Sequence, residues 1–127
     1  MKTTKIAILG FGTVGSGVYT VLQQNSELIR HRQLLDLSVK RVLVRDLLHG
    51  RNLALAPMET FTTDSADILA DGEISIVVEC IGGVNPTKHY ILRALQAGKT
   101  VVTANKEVLS KHWPDLERAA IETGAGL

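Results

Sequence analysis

Ile8-Leu9-Gly10-Phe11-Gly12-Thr13-Val14-Gly15-Ser16-Gly17-Val18 (ILGFGTVGSGV, residues 8–18) puts four glycines where a chain would otherwise start a good helix. Glycine inside a helix costs about 0.5–1 kcal/mol relative to alanine. Four so close together ask for something that comes near the backbone. Upstream, Ile6-Ala7-Ile8-Leu9 is a short apolar run ending in glycine, the pattern of a buried parallel strand. Downstream, Val14, Val18, Val21 and Leu22 recur at helical spacing and predict a helix over Thr13 to Gln24. Between them, Gly10-Phe11-Gly12-Thr13-Val14-Gly15 fits G-x-G-x-x-G. In that pattern the first glycine makes a tight turn, the second lets a pyrophosphate approach, and the third lets helix and strand pack closely. The helix N-terminus then offers free N–H groups and positive dipole to phosphate. The competing reading is a glycine-rich turn that binds nothing. Gly17 reads as a helix–strand packing residue.

The rest of the chain keeps alternating. Asn25 and Ser26 stop the first helix and cap a further helical piece through Ile29. Val39–Val44 reads as the second strand, and Arg45 to Pro57, with His49-Gly50-Arg51, as a loop. Thr60–Thr62 is a short strand, and Asp64 caps a short helix through Leu69. Ile74–Ile81 is another strand, followed by Gly82-Gly83. Asn85-Pro86 looks like a helix start, with proline at the first helical position. Ile91, Leu92 and Leu95 line that helix, and Gly98 ends it. Thr100–Thr103 is the next strand. Asn105 caps a helix from Lys106 to Lys111, and Pro114 starts a last helix that Gly124 closes.

Strands alternating with helices argue for an α/β fold, a doubly wound parallel sheet with helices on both faces. A ligand site in such a sheet lies beyond the carboxyl ends of the strands. Gly10–Gly15, Ile81–Gly83 and Thr103–Lys106 are expected to converge there.

The bulk properties narrow the classes. The 127 residues suffice for one domain with its own core, with 45% hydrophobic and 21% charged content. A net charge of +1 carries no nucleic-acid signature. The single cysteine, Cys80, excludes an intramolecular disulfide and fits a reducing, cytoplasmic setting. The four histidines, His31, His49, His89 and His112, show no metal-ligand spacing, so no metal is expected. Lys2 and Lys5 before apolar residues mimic a signal peptide, but the apolar run is too short before the glycines. No stretch is long and apolar enough to span a membrane.

Several positions stand out as candidates or as questions. Arg45 follows the second strand, where an arginine accepts the 2′-phosphate of NADP and an acid hydrogen-bonds the ribose of NAD. Arg45 could also stack on adenine, and Arg51 assist from the loop; the plain alternative for both is a solvated cation. Asp46 keeps NAD open. Lys106 falls in the first turn of a helix, where the macrodipole disfavours a cation by about 0.3–1 kcal/mol. It is either kept for a ligand or simply reaches solvent. Glu79 lies inside an apolar strand, and a buried carboxylate must be hydrogen-bonded. The favoured reading is a structural acceptor for nearby backbone N–H groups. Cys80 reads as a small core residue, and Trp113 as packing at the break before Pro114.

Together these pieces resemble homoserine dehydrogenase. The resemblance rests on GFGTVGSGV at 10–18, VLVRD at 42–46, VVECIGG at 77–83 and, most specifically, ALQAGKTVVTANKEVLSKH at 94–112. The family reduces aspartate 4-semialdehyde to homoserine with NADPH or NADH, on the route to threonine and methionine. The resemblance implies a Rossmann-type NAD(P)-binding domain over residues 1–127. It implies that Gly10, Phe11, Gly12, Thr13, Val14 and Gly15 hold the pyrophosphate. Arg45 then faces the adenosine end, Ile81 and Gly82 lie near the nicotinamide ribose, and Lys106 stands beside nicotinamide and substrate as the catalytic residue. The family's substrate and dimerisation domain is expected to be missing from this chain, which leaves it inactive alone and its parent a homodimer. Two other functions fit the residues: another semialdehyde or amino-acid dehydrogenase, or a stand-alone nucleotide-binding regulatory module.

Overall fold

The computed structural model describes residues 2–48, 50 and 52–127; the readings of His49 and Arg51 fall outside the described residues. Five parallel strands form one sheet: β1 (Thr3–Leu9), β2 (Asp36–Leu43), β3 (Phe61–Thr62), β4 (Ile74–Glu79) and β5 (Thr100–Thr103), in the order β3-β2-β1-β4-β5. Five helices connect or follow them: α1 (Thr13–Gln24), α2 (Ser26–Gln33), α3 (Ala66–Leu69), α4 (Thr87–Gln96) and α5 (Lys106–Thr123). The order reverses at β1, since β2 lies on one side of it and β4 on the other.

Neighbouring residues of β1 serve opposite faces, as the period of two demands. Ala7 and Leu9 pack with Leu43, Val77 and Val101 against Ile68 of α3, Ile91 and Leu95 of α4, and Leu116 of α5. Ile8 joins Val42, Phe11, Tyr19 and Phe61 on the other face. Ala7, Ile8, Val77, Ile91, Leu95 and Leu116 are fully buried. Each large one of these contributes about 1.5–3 kcal/mol relative to an exposed position. The doubly wound expectation holds, with a separate core on each side of the sheet.

The boundaries differ in instructive places. β1 and β2 start three residues before their apolar runs, because Thr3 pairs with Asp36 and donates its hydroxyl to that carboxylate at 2.6 Å. Polar residues thus extend the ladder where both strands reach solvent. α2 runs to Gln33 and ends at Leu34 in the left-handed region. β4 stops at Glu79, two residues short of the expected end. Asn85 does not cap α4: Pro86 occupies the cap position, and the helix begins at Thr87, whose hydroxyl donates to Gly82 O at 2.7 Å. The two helices expected around Pro114 form one element with a break, His112 lying outside helical geometry at φ −128°. Proline has no N–H to give and crowds the carbonyl four residues back. Trp113 does not fill that break: it stays 43% exposed and donates Nε1–H to Glu117. Gly17 is also exposed, and a β-carbon there would meet nothing within 4 Å, so it is not a packing residue.

Asn105 caps α5 as expected, accepting from Val108 N at 3.2 Å. Gly98 and Gly124 end their helices at φ +80° and +74°. At the opposite end of the sheet Lys99 is buried, its ammonium donating to Asp71 O and Ile74 O, both at 2.7 Å. Burial holds its pKa below the usual lysine value. No helix among the described residues is long and apolar enough to cross a membrane.

Candidate dinucleotide site

A cleft of about 700 Å³ opens at the carboxyl edge of the sheet, where the strand order reverses. Its walls come from the end of every strand except β5: Gly10, Phe11 and Gly12 after β1, Leu43, Val44, Arg45 and Asp46 around the end of β2, Thr63 after β3, and Cys80 and Ile81 after β4. Gly50 from the loop after β2, and Pro86 and Tyr90 at the start of α4, complete it.

The glycines of this turn have three different physical reasons. Gly10 has φ +94°, and a β-carbon there would come within 3.1 Å of Cys80 O. It turns the chain while its N–H donates to Leu43 O at 2.9 Å. Gly15 lies behind the turn, where a β-carbon would sit 2.0 Å from Gly10 O. No side chain fits between helix and strand. Gly12 is the opposite case. Its φ is an ordinary −78°, and a β-carbon would meet nothing within 4 Å. Neither strain nor crowding inside the chain requires glycine there, and its free side faces the cleft.

Gly12 is also the cap position of α1, and no side chain caps that helix. The first backbone bond of the helix runs from Ser16 N to Gly12 O at 3.0 Å. The N–H groups of the first turn have no partner inside a helix, and α1 has no acidic residue in that turn. Uncapped donors, positive dipole and an open backbone are what a phosphate group takes at a helix start.

Phe11 contributes to the cleft from a ring that is otherwise buried. It stacks edge-on against Tyr19 and Phe61 at centroid distances of 5.8 and 5.1 Å. Asn52, at φ +63°, reaches back to the same turn and donates Nδ2–H to Ser16 Oγ at 3.2 Å. That bond fastens the loop after β2 to the first turn of α1.

On the far side, Glu79 is 6% exposed, and Oε2 accepts from Ile81 N and Gly82 N, both at 2.8 Å. Its other oxygen accepts from Thr103 Oγ1 at 2.6 Å. The backbone-acceptor reading of Glu79 holds, and the bond to β5 is an addition to it. Asn105 Nδ2 donates to Gly83 O at 2.6 Å, so the turns 81–83 and 103–106 do meet. Cys80 meets the core reading in part: it packs against the Ile8–Phe11–Phe61 core but is only half-buried and also lines the cleft. Burial, then the nearby Glu79 charge, push its thiol up to about 11. It is a neutral thiol near pH 7 and no nucleophile.

Of the sequence candidates, Gly10, Phe11, Gly12, Arg45 and Ile81 line the cleft. Thr13, Val14, Gly15, Gly82 and Lys106 are not among its walls. Lys106 opens α5 with its side chain exposed. Thr63, Pro86 and Tyr90 were not singled out by sequence. Thr63 had a signal, because it directly follows a predicted strand and strand ends meet at the reversal point. Pro86 and Tyr90 had none, since they reach the cleft only through the path of the turn after β4.

A family profile described as "Homoserine dehydrogenase, NAD binding domain" matches residues 10–127. Homoserine dehydrogenase of Bacillus subtilis (strain 168) is 39% identical over all of this chain, which covers 29% of that protein. The crystal structure of S. aureus homoserine dehydrogenase at pH 7.0 superimposes with a TM-score of 0.91 and 40% identity, covering 100% of this chain and 32% of that one. A hyperthermophilic archaeal homoserine dehydrogenase in complex with NADPH shares the fold at a TM-score of 0.75 and 23% identity, over 98% of this chain and 43% of that one. The chain therefore spans about a third or less of the length of its close relatives.

Proposed function

Since this chain belongs to the family of homoserine dehydrogenase NAD-binding domains, we propose that it is the cofactor-holding part of an enzyme interconverting homoserine and aspartate 4-semialdehyde. The observation that carries the reading is Gly12: an unstrained, uncrowded glycine at the uncapped start of α1, facing the cleft at the strand-order reversal. A bound nicotinamide supplies the hydride chemistry. The chain's own residues supply binding and orientation. Backbone N–H groups over Phe11, Gly12, Thr13, Val14 and Gly15 receive the pyrophosphate, while Gly10, whose N–H is held by Leu43 O, makes the turn that lets it approach. Arg45 takes the adenosine end and favours a 2′-phosphate. Ile81 and Gly82 meet the nicotinamide ribose. Lys106 donates to the substrate oxygen and stabilises the charge that develops on it.

Residues 1–127 act in this reading as the cofactor domain of a cytoplasmic homodimer, with substrate-binding groups and the proton donor supplied by a further domain. Positioning of two reactants supplies about 7–11 kcal/mol of a barrier, so the 127-residue chain binds cofactor without oxidising homoserine. Calorimetry of NADPH and NADH against the wild-type chain and Gly12→Val tests the site. A valine side chain would occupy the space kept for pyrophosphate and weaken both cofactors by about a hundredfold or more. Equal affinity in the two proteins would overturn the assignment.

A further inference from the structure

Glu79 closes a ring of hydrogen bonds around the far side of the cleft. Its carboxylate accepts from Ile81 N, Gly82 N and Thr103 Oγ1. Thr103 Oγ1 accepts in turn from Asn105 N at 3.0 Å, and Asn105 Nδ2 donates to Gly83 O at 2.6 Å. Asn105 Oδ1 also caps α5, two bonds away from Glu79. The ring therefore runs from the end of β4, through a turn with Gly82 at φ +82° and Gly83 at φ +70°, to the helix start that carries Lys106.

Fold stability alone does not ask for this arrangement. Well-packed apolar residues often match or exceed buried polar ones in stability, and apart from exposed Ser75 the rest of β4 is apolar: Ile74, Ile76, Val77 and Val78. A carboxylate with three donors does what an apolar residue cannot: it prescribes the path of one turn and the distance to a second. We propose that Glu79 is a positioning residue that sets the turn 81–83 against the turn 103–106, and thereby the seat of the nicotinamide half of the cofactor and the placement of Lys106. The proposal rests on the reading of this cleft as a dinucleotide site.

The test compares two probes on the 127-residue chain by calorimetry: NADPH, and 2′,5′-ADP, which has the adenosine half alone. Glu79→Ala should weaken NADPH roughly tenfold or more while 2′,5′-ADP stays within about twofold. Glu79→Gln should restore NADPH binding to within about threefold. Its amide oxygen still accepts from the two N–H groups, and its NH2 donates to Thr103 Oγ1. Thr103→Val removes the link to β5 and the acceptor of Asn105 N but keeps both backbone bonds of Glu79, and should cost NADPH alone, by less than Glu79→Ala. Parallel losses on both probes, no loss on either, or failure of glutamine to restore NADPH would overturn the proposal. If Glu79→Ala does not fold, Thr103→Val decides: a loss confined to NADPH supports positioning, and any other pattern overturns it. A wild-type chain that binds neither probe, and NADH no better, would instead sink the dinucleotide reading, and positioning with it.

Discussion

The two sides of the cleft are built on different principles. The side after β1 is made by what is missing. Gly15 has no room for a β-carbon, Gly10 holds φ +94° with only a tight 3.1 Å beside it, and Gly12 has room but leaves it open. Its polar groups are backbone donors that the helix itself cannot use. The side after β4 is made by what is added. One buried carboxylate, a threonine and an asparagine tie two turns into a ring. In the proposed function the first side receives a rigid anion whose position varies little, and the second faces the reacting end, where a small displacement changes the distance between two partners. A backbone cradle needs no side chain to hold its shape, whereas a junction of two separate turns does.

Gly15→Val gives the largest way to break this contrast. Its β-carbon would lie 2.0 Å from Gly10 O, so strand and helix must separate. Overpacking of that kind costs about 3 kcal/mol or more, read as a fall in the urea midpoint. Gly12→Val should leave that midpoint unchanged while removing cofactor binding. Equal stability of the two variants would erase the distinction drawn among the glycines.

Lys106→Ala tests the other side at the level of chemistry. In a full-length enzyme carrying this domain, loss of a donor to developing charge should lower kcat by roughly 10²–10³. The melting temperature should stay put, since the side chain is exposed. Near-normal turnover would return Lys106 to the role of a solvated cation.

Arg45→Ala sharpens the adenosine end. A charge-assisted bond to a 2′-phosphate is worth about 1.5–3 kcal/mol. NADPH should therefore weaken by roughly ten- to a hundredfold and NADH far less. Equal losses would show that Arg45 does not discriminate.

The smallest effect belongs to the opposite end of the sheet and checks that the contrast is local to the cleft. Lys40 bonds Asp71 at 2.6 Å and Glu73 at 2.9 Å, and its hydrogen bonds hold both carboxyls below their ordinary range. A lowered folded-state pKa stabilises above the unfolded value and is lost as pH falls through the folded one. Lys40→Met should thus lower the urea midpoint slightly at neutral pH and flatten its decline below about pH 4. Cofactor affinity should not change. An unchanged acid profile would count against the ion pair's role.

Much of the first side was legible in the sequence. The strand run Ile6–Leu9, the glycine spacing and the valines of α1 are local signals, and short-range sterics convert them directly into strand, turn and helix. The cap at Asn105 and the stops at Gly98 and Gly124 were legible for the same reason. Less was legible where a residue's surroundings come from elsewhere. Gly17 carries the same letter as Gly15 two positions earlier, yet one points to solvent and the other to the strand. Cys80 follows an apolar run but ends at the cleft, because β4 stops at Glu79 and the chain turns. Asn85-Pro86 had the signature of a helix start, but the turn after β4 delays the helix to Thr87.

By itself the sequence determined the alternation of strands and helices, the phosphate-type turn and the family resemblance, because these depend on neighbours within a few residues. Tertiary structure alone decided which glycine faces the open cleft and which faces the protein. It also decided that Glu79, besides its own turn, reaches Thr103, 24 residues away. That bond exists because β4 and β5 lie side by side with Glu79 paired to Thr103 in the parallel register, and a register is a relation between strands that neither strand carries alone.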